Sequence, residues 1–220
     1  MAGDGDQPVS FVERTLITPI SGAGIRGTAS DPAMTLPSPN LIGAVFGFSE
    51  LAISLTLRAR GNVARKDRHS LTVLWMVIGL SIFLGIGLSR AMPDARLPWP
   101  QQTYIVGLAV FVIGLLLRWW SIITLGRFFT VQVAIASDHR LIETGPYKIL
   151  RHPSYTGALL ELLGFALCIS NWLGLMVMFV PVLAAFGWRI HVEEIALREA
   201  FGDAWREYVH RTWRLLPLIY

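Results

Sequence analysis

Between Tyr155 and Trp188 the chain runs for 34 residues with a single charged side chain, Glu161. One helix of that length would reach about 50 Å, well beyond the roughly 30 Å hydrocarbon core of a bilayer, while two helices would each be slightly short. A turn is available in the middle, at Ser170, Asn171 and Trp172. The stretch therefore reads as a tight transmembrane hairpin over 155–188. Such a hairpin places its two ends, with whatever chemistry flanks them, on the same side of the membrane.

Three further apolar segments precede it, Leu41 to Leu57, Leu71 to Leu88 and Tyr104 to Leu125. The expected fold is all-α, a polytopic membrane helical bundle of about five transmembrane helices. Composition agrees: 53% of residues are hydrophobic and 15% charged, against about a quarter charged in soluble domains. Fourteen of the nineteen Lys and Arg fall in the segment 58–69, the segment 126–154 and the tail from Arg189. Those segments share one side in a five-span topology, and an excess of basic residues marks the cytoplasmic side. The basic balance is read as contact with lipid headgroups, not as a nucleic-acid surface. Cys168, the one cysteine, lies in an apolar run and excludes an intramolecular disulfide. Residues 1–40 are rich in Gly, Pro, Ser and Asp, read as a flexible tail, and lack the basic-then-apolar order of a signal peptide.

That tail holds GAGIRG, Gly22 to Gly27, which has the GxGxxG spacing of dinucleotide loops. Such a loop works only between a strand and a helix. Pro19 interrupts the strand and TASDPAM stands where the helix should start, so the motif is read as linker. Inside the spans lie three charged residues, Glu50, Arg118 and Glu161. Charges at that depth face a bundle interior, a cavity or a partner. Arg118, with Trp119 and Trp120 beside it, also suits snorkelling to the interface, and both readings stay open.

The unusual polar residues flank the hairpin. Before it stands GPYKILRHPSY, Gly145 to Tyr155, and after it RIHVEEIALREAFGDAWREY, Arg189 to Tyr208. Pro153 at the start of a span leaves helix N-terminal amides free for an anion or the polar edge of a cofactor. Tyr147, Arg151, His152 and Tyr155 then surround that point, though an interfacial belt of Tyr and Arg has the same spacing. In the second segment Arg189 and Glu193 are i, i+4, and Glu194 leads a stripe of Leu197, Phe201, Trp205 and Tyr208. An amphipathic surface helix would show the same stripe. Gly202 and Asp203 are expected to break the helix, with Asp203 as the N-cap of a second one. The five histidines have no metal-ligand spacing, so no metal is expected, and no serine elbow or activated cysteine is present.

The two segments, with LLP at Leu215 to Pro217, resemble the isoprenylcysteine carboxyl methyltransferase family in both its GPYxxxRHPxYxG and RxxxEExxLxxxFGxxYxxY motifs. LGRFFTVQV, Leu125 to Val133, is similar to the family's lead-in to its cofactor segment. The match covers about Leu141 to Pro217 and departs at Trp205, where the family commonly has Tyr. The resemblance implies residues 126–220 as a catalytic region on the cytoplasmic side, holding S-adenosylmethionine without a Rossmann fold. It makes Gly145, Tyr147, His152, Pro153, Tyr155 and Glu194 cofactor-binding candidates. Arg189 and Glu193 become the candidates beside the reacting carboxylate of a lipophilic or prenylated substrate that enters from the lipid bilayer. Three alternatives are an amine or phospholipid N-methyltransferase, an NADPH-dependent sterol-type reductase, and a non-catalytic membrane protein. The EEIAL to FG segment and the short chain weigh against the reductase.

Overall fold

The computed structural model describes residues 36–58, 69–126 and 141–217. The GAGIRG segment, most of the 1–40 tail, the basic segment 59–68 and the stretch 127–140 lie outside the described residues. Six α-helices follow in order: α1 (Pro39–Arg58), α2 (His69–Ala91), α3 (Pro100–Leu125), α4 (Pro153–Ile169), α5 (Trp172–Phe201) and α6 (Asp203–Arg211), with one 3-10 turn at Gly145–Lys148 before α4. Among the described residues no strand forms, and only two isolated bridges occur.

Local sequence sets these boundaries. Pro100 and Pro153 open α3 and α4 at the position where a missing amide costs nothing. Gly126 and Gly202 close α3 and α5 at φ of 54°, a left-handed conformation that favours glycine. The hairpin turns where the sequence placed it. Ser170 takes the left-handed conformation, and Asn171 caps α5 by accepting from the Gly174 amide at 2.9 Å. The same Asn171 donates to the Met92 carbonyl at 2.9 Å, and Trp172 N–H donates to the Ala95 carbonyl at 3.0 Å. The hairpin tip is thus tied to the α2–α3 connection at one end of the bundle.

The five apolar segments appear as α1 to α5. Three helices, Ser70–Ala91, Pro100–Leu125 and Trp172–Phe201, are long and apolar enough to cross a membrane, while Pro39–Leu55 and Pro153–Ile169 are shorter apolar helices. The hairpin is asymmetric. The first arm has 17 residues, about 26 Å. The second runs 30 residues without a break, so the polar segment from Arg189 to Phe201 is the end of α5 itself and not a separate helix. The expected break at Gly202 is present, but Asp203 is the first residue of α6 and not its cap. Its carboxylate instead accepts from Arg206 at 2.9 Å on the exposed face.

Glycines let α3 and α4 approach closely. A Cβ built on Gly114 would lie 2.5 Å from the Glu161 amide nitrogen and 2.7 Å from the Gly157 carbonyl oxygen. One on Gly157 would lie 2.7 Å from the Arg118 backbone nitrogen. Gly107 and Gly164 repeat the arrangement one heptad away. Where lipid removes the hydrophobic drive between helices, such small-residue contacts hold them together. The apolar core divides into Leu162, Val182, Phe186 and Ile190 at the polar-site end and Phe46, Phe111, Phe165 and Met178 at the other.

Candidate active site

The segment that precedes α4 is folded against the chain's C-terminal end. Gly145 adopts φ of 56°, and a Cβ there would press on Thr124 Oγ1 at 3.0 Å, so both conformation and space require glycine. Leu150 forms a parallel bridge with Trp213. Around it, Arg151 N–H donates to the Trp213 carbonyl at 2.7 Å, His152 N–H to the Arg214 carbonyl at 3.1 Å and Trp213 N–H to the Ile149 carbonyl at 2.9 Å. Thr156 Oγ1 donates to the Leu215 carbonyl at 2.8 Å. A short extended pairing therefore presents Arg151, His152 and Arg214 together beside the first turn of α4.

These side chains converge on Glu194 of α5. Arg214 bonds its carboxylate through Nε at 3.0 Å and Nη2 at 2.9 Å, Arg151 Nε approaches at 3.2 Å and His152 Nε2 at 3.4 Å. Two guanidiniums and an imidazole surround one carboxylate, Arg151 also donating through Nη1 to the Val209 carbonyl at 3.0 Å, and charge-assisted bonds of this kind are the strong ones. One turn away Tyr155 donates to Glu193 Oε2 at 2.6 Å and accepts from Arg189 Nε at 3.5 Å. Arg189 is 1% exposed and donates through Nη1 to Ser70 Oγ of α2. The Tyr155 hydroxyl thus stands between the i, i+4 partners Arg189 and Glu193. The His152 and Tyr155 rings stack with an interplanar angle of 5° and centroids 5.6 Å apart, and Phe186 backs Tyr155 at 5.2 Å.

The structure thereby brings together His152, Pro153, Tyr155, Arg189, Glu193 and Glu194. Tyr147 and Gly145 sit on the adjoining turn. Tyr147 is buried, and its carbonyl accepts from Tyr208 Oη at 2.8 Å. Burial pushes both phenols above their ordinary range, so each stays a neutral donor across physiological pH. The stripe on α6 faces the bundle: Trp205 and Tyr208 are each 2% exposed and pack ring to ring at 5.6 Å. Trp205 Nε1 makes no hydrogen bond among the described residues.

Sequence reasoning missed two members, Arg214 and Ser70. Arg214 stands in an unremarkable TWRLLP tail, whose only signal was the family's LLP. Ser70 opens a span 119 residues before Arg189, and nothing local reports that pairing. Two of the buried charges, Arg118 and Glu50, pair with each other, while neither Glu161 oxygen makes a hydrogen bond among the described residues. Arg118 donates through Nη2 to Glu50 Oε2 at 2.6 Å, its Nε lies 2.5 Å from Glu50 Oε1 as an ion-pair contact, and Nη1 donates to the Ser154 carbonyl at 3.0 Å. Glu161, fully buried, lies 3.9 Å from Arg118 Nε. Arg118 is 7% exposed and faces the bundle, which excludes snorkelling.

Fold and site together define a polytopic helical membrane protein with a cation-rich polar site gathered at the open end of a helical hairpin. Residues 105–199 match the model of the isoprenylcysteine carboxyl methyltransferase (ICMT) family. A probable protein-S-isoprenylcysteine O-methyltransferase of Oryza sativa subsp. indica is 29% identical over 179 residues, covering 80% of this chain and 92% of the relative. Protein-S-isoprenylcysteine O-methyltransferase A of Arabidopsis thaliana is 26% identical over 86% of this chain and 97% of its own length. Among solved structures, a eukaryotic intramembrane Ras methyltransferase ICMT superposes with a TM-score of 0.56 at 25% identity, over 84% of this chain and 70% of that one. The chain is thus similar to the isoprenylcysteine carboxyl methyltransferase family over residues 105–199 and to a solved member of it in fold.

Proposed function

We propose that the chain methylates the carboxylate of an isoprenylcysteine-like lipophilic substrate, with S-adenosylmethionine as donor, at the cytoplasmic face of its membrane. The observation that carries this reading is the convergence of Arg189, Glu193 and Glu194 of α5 on Tyr155 of α4 and on His152, which precedes its first turn. In this reading residues 126–220 hold the chemistry and the three preceding helices supply the membrane scaffold. The basic residues clustered beside this end support the cytoplasmic placement.

The residues fit the donor's chemistry. Arg151, Arg214 and His152 gather positive charge and N–H groups around Glu194, a setting that suits a ligand carrying its own carboxylate. Glu194 offers an acceptor for the ligand's ammonium, and the flat His152 and Tyr155 rings offer a face for a planar group. When bound, the donor supplies a sulfonium methyl, whose carbon–sulfur bond breaks as the carboxylate oxygen bonds to carbon, leaving a neutral thioether.

The chain's own part is binding and alignment. A carboxylate with an ordinary pKa near 4 is already ionised at pH 7, so no general base is needed. Arg189 orients it, a role suited to a guanidinium that never deprotonates and is fixed between Ser70 and Tyr155. Tyr155 holds Glu193 away from the incoming anion by donating to it. Burial excludes water, and alignment of this kind supplies roughly 7 to 11 kcal/mol.

Titration of the detergent-solubilised protein with S-adenosylhomocysteine and NADPH tests the reading. Binding of S-adenosylhomocysteine is expected, and binding of NADPH alone overturns it. Arg189→Ala should abolish methylation of N-acetyl-S-farnesylcysteine while keeping most of the S-adenosylhomocysteine binding. Equal loss of both removes Arg189 from the substrate role.

A further inference from the structure

A second site lies away from Arg189. A cavity of about 930 Å3 runs between α1, α2 and the distal half of α4, walled by Phe46, Ile78, Ile82 and Phe165. Its mostly apolar length includes one carboxylate, Glu50, which is paired with Arg118, and ends at two cations, Arg90 and Arg96, which also line it. Neither forms an ion pair among the described residues, and Asp94 in the same connection pairs with neither. Gly47 and Gly79 line the cavity as well, and a Cβ on either would meet nothing within 4 Å. The groove is therefore kept wide by two residues that leave room for a guest.

Its polarity runs opposite to that of the methyl-transfer site. On α2, Ser70 contacts Arg189, and Arg90 stands twenty residues further along the same helix. That separation is about 30 Å, the thickness of a hydrocarbon core. A substrate with its carboxylate at Arg189 leaves the cationic end of the groove unused. An amphiphile with an anionic head between Arg90 and Arg96 and its chain along α1 and α2 satisfies both ends.

We propose that this groove holds one anionic phospholipid from the leaflet opposite the Arg189 site, its phosphate at Arg90 and Arg96 and its acyl chain packed between α1 and α2. The ligand is recognised by charge at one end and by apolar length along the rest.

Native mass spectrometry of the delipidated full chain tests this, with phosphatidylglycerol and phosphatidylcholine of identical acyl chains as probes. One phosphatidylglycerol per chain should be retained, with about tenfold preference over phosphatidylcholine. Arg90→Ala with Arg96→Ala should erase the preference. Gly79→Phe, which places a ring in open space, should expel the lipid while the melting temperature stays unchanged. Equal retention of both lipids by the wild type would mean annular contact only and overturns the proposal, as does a preference that survives loss of both arginines. Displacement of the lipid one for one by N-acetyl-S-farnesylcysteine would assign the groove to the substrate and overturns it too.

Discussion

Gly114→Ala tests whether the α3–α4 seam positions the site. The added methyl would sit 2.5 Å from the Glu161 nitrogen, 2.7 Å from the Gly157 oxygen and 2.9 Å from Leu160 Cβ. Two of the three are backbone atoms, so no side chain can rotate aside. Comfortable carbon contacts lie at about 3.5 Å, so the helices must separate by about 1 Å. Overpacking of this kind costs about 1 to 3 kcal/mol, against a gain of about 1 kcal/mol from replacing a helical glycine. A net loss of about 1 kcal/mol, read as a lower melting temperature in detergent, is expected. The displaced α4 carries Tyr155, with His152 at its N-cap, and a shift of about 1 Å at a reacting centre can cost about a hundredfold in rate. Methylation should therefore fall much further than stability. Gly79→Ala, with nothing within 4 Å of its Cβ, serves as control and should match or exceed the wild type in stability. If Gly114→Ala behaves like Gly79→Ala in both assays, the close packing does not set the site's geometry.

Other substitutions separate the parts of the site. Glu194→Gln leaves Arg151 and Arg214 without their shared countercharge, which should cost roughly 3 kcal/mol of stability and at least tenfold in S-adenosylhomocysteine affinity by calorimetry. Tyr155→Phe keeps the ring stacked on His152 but loses the 2.6 Å bond to Glu193. It should lower kcat with little change in S-adenosylhomocysteine binding, at about 1.5 to 3 kcal/mol for a bond to a charged group. For pH, burial raises Tyr147 and Tyr208 above an unfolded value near 10. Their neutral forms favour the fold, so this stabilisation is complete below pH 10 and lost as pH rises through their folded values. Thermal unfolding should show no phenol-linked change from pH 6 to 9 and a steep decline above 10. Tyr208→Phe, which removes the bond to the Tyr147 carbonyl, should blunt the part of that decline due to Tyr208.

What the sequence disclosed follows from how local each determinant is. The hairpin was legible because 34 residues with one charge can satisfy a bilayer in few ways, and Asn171 supplies a cap at the turn. The two walls of the site were legible because the hairpin makes neighbours of Tyr155 and Arg189 whatever the rest of the bundle does. The continuity of α5 through Arg189 was hidden by its change from apolar to charged faces, which reads as an end of a span although the backbone has no reason to stop before Gly202. Arg214 was hidden because its position depends on a bridge between Leu150 and Trp213 that no periodicity announces.

The charges within the spans show the same division of information. Their presence predicted burial against partners, since an isolated charge in hydrocarbon is costly, but Glu50 and Arg118 are 68 residues apart and only the packed bundle pairs them. The pairing also explains why the α3–α4 seam must be tight. Arg118 sits where Gly157 leaves room for its backbone, and from there one guanidinium reaches Glu50 on α1 and the Ser154 carbonyl in the first turn of α4. That turn begins with the residues that contact Glu193 and Glu194. The glycines therefore act on the site in two ways: they set the height of α4, and they let a buried ion pair tie its first turn to the rest of the membrane bundle.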